Sequence, residues 1–246
     1  MRSSVGAGVR LVGALILAGG LALGGWFVGR GFVDSRLGAR SVSVKGLAER
    51  EVKADLAIWA LRFVATGNEL GAVREKIAGD EAAVRKFVAE GGLRDASVGV
   101  AGFEVNDALA QLYRSGPVES RFVMAQTLVV RSPDVDGVAA LAQRVGELVS
   151  AGVVLSSDGG AAGGPVYLFT ALNDAKPEMV AEATRNARAS AEQFAKDSGS
   201  ALGGIRSASQ GVFQILARDE APGLQEPYQI AKRLRVVSTV EYFLAE

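Results

Sequence analysis

The sequence predicts an α+β protein, with an N-terminal transmembrane helix followed by a duplicated β-α-β-β unit and a connecting helix. Three observations predict it. Leu11 through Gly29 is a run of 19 residues without a charged, amide or hydroxyl side chain. Beyond it, stretches of period-two alternation, the spacing of one strand face, alternate with stretches whose apolar residues recur every three or four positions. The second half then repeats the element order of the first.

A 19-residue helix rising 1.5 Å per residue is about 28 Å long, close to the roughly 30 Å of a bilayer core. Residues 1–10 then form a cytoplasmic tail, 11–29 the anchor, 30–40 a polar linker and 41–246 a folded domain beyond the membrane. A cleaved secretory signal competes, because Ala22-Leu23-Gly24 offers small residues to a peptidase. The apolar run nevertheless exceeds the ~7–15 residues of a signal core, and Trp26-Phe27 carry it to Arg30. Both readings export the rest. Flanking arginines do not set the orientation; the tail is placed inside because nothing folded precedes the run. Gly20/Gly24 and Gly25/Gly29 have the four-residue spacing that lets helix backbones approach, which makes them a candidate self-association face. The alternative is that glycine is simply tolerated in membrane helices.

The 27 Lys+Arg balance the 27 Asp+Glu, and no basic run marks a nucleic-acid surface. The chain has no Cys and no His. That removes thiol nucleophiles, disulfides, Ser-His-Asp triads and nearly all zinc, copper and haem sites, so no cofactor, metal or catalytic residue is expected. Glu49, Glu51 and Asp55 are the one carboxylate group able in principle to do acid-base work. Beside Arg50 and Lys53 they read as a solvated edge.

Val42, Val44 and Leu47 lie in a first strand, and residues 52–65 form a second, apolar on both faces and therefore central. Asn68 is placed to cap a helix with Val73, Ile77, Val84, Phe87 and Val88 on one stripe, ended by Gly91-Gly92. Strands follow over 96–105 and 121–131, the latter with Gln126 among Phe122, Met124, Leu128 and Val130. Ser132-Pro133-Asp134 opens a helix over 133–150 with Val135, Val138, Leu141, Val145 and Leu148 inward. The Gly-rich stretch 158–165 lacks the Lys-Ser/Thr of a phosphate loop and reads as a turn.

From there the first half recurs. Phe169, Asp174 and Phe194 answer Phe63, Asn68 and Phe87, the strand at 212–215 answers that at 102–105, and Leu234, Val236, Ser238, Val240 and Tyr242 answer the row from Phe122 to Val130. The pseudo-repeats span 52–131 and 165–244, joined by helix 133–150, and their strands are expected to pair into one larger sheet with helices over a face.

This order resembles the SIMPL domain (YggE-like) family of bacterial envelope proteins. The strings that carry it are Val42-Ser43-Val44-Lys45-Gly46, Ala54-Asp55-Leu56-Ala57, the strand Arg121 to Val130, the Ala-rich helix from Ala181 to Ala195, Leu202-Gly203 and the terminal Arg235 to Glu241. The chain departs where the family usually has a second glycine near Gly46, and Asn186 stands where Asp is common. The resemblance implies a periplasmic, often homo-oligomeric protein tied to envelope or oxidative-stress tolerance, with no established catalytic residues.

The resulting expectation is a single-pass protein of a bacterial inner membrane, non-enzymatic, whose partners are the lipid bilayer and itself. The alternative is a periplasmic ligand-binding accessory module for a transporter or envelope complex, with loops 106–120 and 218–228 lining a pocket. A carboxylate hydrolase comes third.

Overall fold

The computed structural model describes residues 13, 17–30, 40–110, 119–157 and 164–245. A helix over residues 17–30 (α1) precedes β1 (Ser41–Lys53), β2 (Leu56–Gly67), α2 (Leu70–Glu90), β3 (Ser97–Asp107) and β4 (Phe122–Ser132). Then come α3 (Val135–Gln143), α4 (Gly146–Ser150), β5 (Val166–Leu168), α5 (Leu172–Asp197), β6 (Ala201–Gln210), β7 (Gln214–Ala217) and β8 (Ala231–Ala245). The α+β class holds. Two sheets form, ordered β3-β4-β2-β5 and β1-β8-β6 with β7 also on β8, in place of the expected single sheet. The reason lies in β5. It is three residues long and pairs with Leu56–Ile58 of β2, while β1 holds the place beside β8.

Of the expected anchor, Leu11, Val12 and residues 14–16 lie outside the described residues, as do the tail 1–10 and residues 31–39 of the linker. The described helix of 14 residues is about 21 Å long. No helix among the described residues is long and apolar enough to cross a membrane. Side chains of α1 are exposed throughout, Leu21, Trp26 and Phe27 included.

The chain divides into two compact units. One comprises Ala48–Val180 and Val212–Val236. Its core gathers one face of β2 (Ala57, Trp59, Leu61, Phe63, Ala65), the expected stripe of α2, and Met124, Leu128 and Val130 of β4. The other face of β2 is only half-buried, so apolar character on both sides does not here mean two covered faces. The segment 153–156 lies along the edge of β2, with Val64 N–H donating to Val154 O and Ser156 N–H to Arg62 O. Gln126, buried in the β4 row, donates to Glu81 at 2.6 Å.

Two caps differ from expectation. Glu69, not Asn68, precedes α2 and offers no side-chain cap, while the Asn68 side-chain Oδ1 accepts from Arg121 N–H at 3.0 Å. α3 begins at Val135 and not at Pro133, so Asp134 caps it in place of Ser132, accepting from Gly137 N–H at 3.1 Å. The single helix expected over 133–150 is two. Arg144 and Val145 N–H bond three residues back, to Leu141 and Ala142, which tightens the turn and re-aims the chain.

The other unit comprises Met1–Leu47, Ala181–Gly211 and Val237–Glu246. Ala183, Ala187, Ala191 and Ala195 recur every fourth residue of α5 and are all buried. Ala187 and Ala191 pack on Val42, Val240 and Tyr242. The small side chains permit close approach, and Gly46 marks its limit. A Cβ there would stand 1.8 Å from Ala183 O and 2.4 Å from Ala187 N. Asn186 donates to Leu47 O at 2.7 Å beside it. β6 escaped sequence reading because Gly203-Gly204 and two register shifts against β8 break its alternation. Glu241 ties three strands, accepting from Ser41 at 2.7 Å, Arg206 at 3.0 Å and Ser207 at 3.1 Å.

Trp59, 3% exposed and edge-on to Phe87 at 6.4 Å, is expected on truncation to Ala to lower stability by about 3–5 kcal/mol in chemical denaturation. Gly46→Val forces α5 off β1, and a loss of at least about 2 kcal/mol should register in the same assay. The Ser41 bond, followed by Ser207 and Arg206, holds the Glu241 carboxyl below the ordinary Glu range. A depressed folded-state pKa stabilises fully above that range, about 4.3, and the stabilisation fades as pH falls through the folded-state value. Glu241→Gln should therefore lower stability at neutral pH and shrink the gap to the parent protein as acid is added.

Candidate functional site

Asp55 interrupts the run from β1 to β2 and organises its surroundings. Its carboxylate accepts from Thr170 N–H at 2.8 and 3.0 Å and from Ala171 N–H at 3.0 Å, satisfying donors just ahead of α5. Ala54 N–H bonds Ile230 O and Asp55 N–H bonds Leu168 O. These bonds gather the ends of β1, β5 and the loop before β8 around an open cleft of about 690 Å³ within the larger unit.

The loop forming one wall, residues 218–230, is held by side chains. Gln229 accepts from Asp219 N–H at 3.1 Å and donates back to Asp219 O at 2.8 Å, as a strand neighbour would. Arg233 donates to Arg218 O. Ala221 pairs with Leu224 across a turn that needs the positive φ of Gly223, +85°. Glu226–Tyr228 forms one 3₁₀ turn with Pro227 near its start. Lys232 fastens this turn. Its side chain is fully buried in β8, and its ammonium meets the Glu226 carboxylate at 2.6 Å and also donates to Glu226 O.

The cleft's two cations are paired in place. Lys53 bonds Asp136 and Arg218 bonds Asp219 at 2.7 Å. Hydrogen bonding from Arg218 holds the Asp219 carboxyl below the ordinary Asp range. Burial, then the Asp136 charge, pushes the Tyr167 phenol up, so it stays a neutral hydroxyl. Glu51 adds a third carboxylate, and the Tyr228 ring stands half-exposed at the rim.

The carboxylates expected as one edge go to three separate tasks. Glu49 faces Arg235 at 3.6 Å, Asp55 serves the backbone ahead of α5, and Glu51 lines the cleft. Arg50 and Lys53 leave that edge for Glu178 and Asp136. Loop 218–228 lines the cleft as the binding-module reading expects, whereas the described residues of 106–120 do not; 111–118 lie outside the described residues. Gly20, Gly24, Gly25 and Gly29 lie on α1, and among the described residues nothing beyond the adjoining helix backbone comes within 4 Å of where a Cβ would stand. Sequence reasoning missed Lys232, Tyr167 and Asp136. Lys232 had a signal, since it falls in phase with Leu234, Val236, Ser238, Val240 and Tyr242.

A family model described as SIMPL, a protein of unknown function (DUF541), matches residues 42–242. The chain belongs to the SIMPL family. No curated protein matches the sequence significantly.

Glu226→Ala strands the buried Lys232 ammonium without its counter-charge, and denaturation should show a loss of about 3–5 kcal/mol. Pairing Lys232→Met with Glu226→Leu removes both charges and should recover most of it.

Proposed function

We propose that this SIMPL-family chain is a membrane-tethered, non-enzymatic protein of the bacterial envelope whose folded domain faces the periplasm and self-associates. A role in envelope or oxidative-stress tolerance fits such a protein. The observation that carries self-association is the margin of the β3-β4-β2-β5 sheet. β3 is its terminal strand, and Val98, Val100, Phe103 and Val105 stand opposite Val130, Leu128, Gln126 and Met124 of the core row. A bulge at Ala101 keeps all four on that face; without it, Phe103 and Val105 would turn away. Yet Val100, Phe103 and Val105 are each more than half exposed. An apolar face running out to a strand edge that no other described strand pairs is the arrangement a second copy covers, extending the sheet and burying the row together.

Tethering is supported by the uncharged run 11–29 and by the exposure of every large apolar side chain on the described helix. A second reading, the periplasmic ligand-binding module, is favoured by the cleft under loop 218–230.

Two measurements test the proposal. Membranes washed at high pH should retain the full chain; release into the supernatant would count against tethering. In detergent the full chain should run as one discrete homo-oligomer that Phe103→Lys disperses and Gly24→Leu does not. The reverse pattern would place assembly in the anchor, and a monomeric parent protein would remove self-association altogether.

A further inference from the structure

We propose that the cleft under loop 218–230 binds an uncharged, hydroxyl-rich ligand of the saccharide class, with the Tyr228 ring as its stacking platform. This rests on the binding-module reading. Both cationic groups facing the cleft are already matched, Lys53 to Asp136 and Arg218 to Asp219, and Glu51 adds one more carboxylate. An anionic ligand would have to compete with these carboxylates, and a cationic one with the ammonium and guanidinium. A neutral polyol breaks neither pair. Each hydroxyl is at once a donor and an acceptor, so it can give to a carboxylate and receive from the adjacent cation.

Shape and rigidity point the same way. Tyr228 is about half exposed, yet the turn that carries it is held by Pro227, by two hydrogen bonds between Gln229 and Asp219 and by the ion pair of Glu226 with the buried Lys232. A half-exposed aromatic residue lining a polar cleft on a turn tied at several points is pre-organised for a flat partner, so little ordering entropy is lost on binding. The axial C–H face of a pyranose is such a partner, apolar on the side that stacks and hydroxylated around its rim. The Tyr167 hydroxyl adds a neutral polar group to the lining.

The test uses the full chain in a detergent without sugar head groups, with tri-N-acetylchitotriose as the neutral probe and sialyllactose as the charged one. Calorimetry should show saturable binding of chitotriose. Tyr228→Ala, at an exposed ring outside the core, should weaken it by about tenfold or more. Tyr228→Trp should preserve it, and Lys53→Met should weaken it while leaving the thermal midpoint within a few degrees. Sialyllactose binding lost in Tyr228→Ala, with no chitotriose binding, would overturn the saccharide-neutrality argument while leaving a binding module in place. No heat from either probe at millimolar concentration, or chitotriose binding indifferent to Tyr228→Ala, would overturn the proposal, and the former would also count against the binding-module reading.

Discussion

One face of β8 is the constraint on which the rest depends. Lys232, Leu234, Val236, Ser238, Val240 and Tyr242 alternate along it, and all six are buried. A strand whose whole alternate set is covered admits one register, because a slip of one residue would turn the set to solvent and bring its charged neighbours inside. β1, β6 and β7 all find their place against this strand. The cost of that continuous row falls at its first member. A lysine ammonium buried without a counter-charge is strongly destabilising, so Lys232 must carry Glu226 with it, and Glu226 brings the 3₁₀ turn that presents Tyr228. The rim of the cleft is thus a consequence of strand register.

A second constraint is the close approach of α5 to β1. Four alanines at every fourth position leave the helix without bulk on that side, and Gly46 leaves the strand without a Cβ where the Ala183 carbonyl comes nearest. The unit containing them has few large buried side chains, and it is bound by contact distance more than by volume. Polar ties compensate at its rim, where Glu241 collects donors from β1 and β6.

Charged groups in the larger unit are spent on one another and on the backbone. Asp55 satisfies amides, Glu49, Glu178 and Asp136 answer Arg235, Arg50 and Lys53, and Glu104 accepts two hydrogen bonds from Arg62. Surface pairs of this kind contribute little stability individually, but they leave both cations of the cleft matched, with Glu51 as one further carboxylate. Such a lining recognises by shape and hydroxyl pattern, and its ligand selectivity follows from which pairs it would have to break.

Local pattern was enough to read much of the molecule. The stripe Val73, Ile77, Val84, Phe87 and Val88, the stop at Gly91-Gly92, a helix opening near Ser132-Pro133-Asp134 and the buried rows of β4 and β8 follow from periodicity and capping chemistry, which act within a few residues. Where neighbours distant in sequence decide, the pattern was silent or misleading. Asn68 has the chemistry of a cap but gives its side-chain Oδ1 to Arg121, 53 residues away. Phe194 occupies the place of Phe87 in the sequence correspondence, yet it is half exposed while Phe87 is buried. β5 has strand character but only three residues to pair, so the choice of β1 as the neighbour of β8 was made by the fold. The same holds for the cleft: the sequence by itself determined the class, the rows and the absence of thiol and imidazole chemistry, because these depend on composition and short spacing. Only tertiary structure decided which of the scattered Lys53, Asp136, Tyr167, Asp219 and Tyr228 meet, because that rests on backbone bonds from Ala54 and Asp55 to partners more than a hundred residues on.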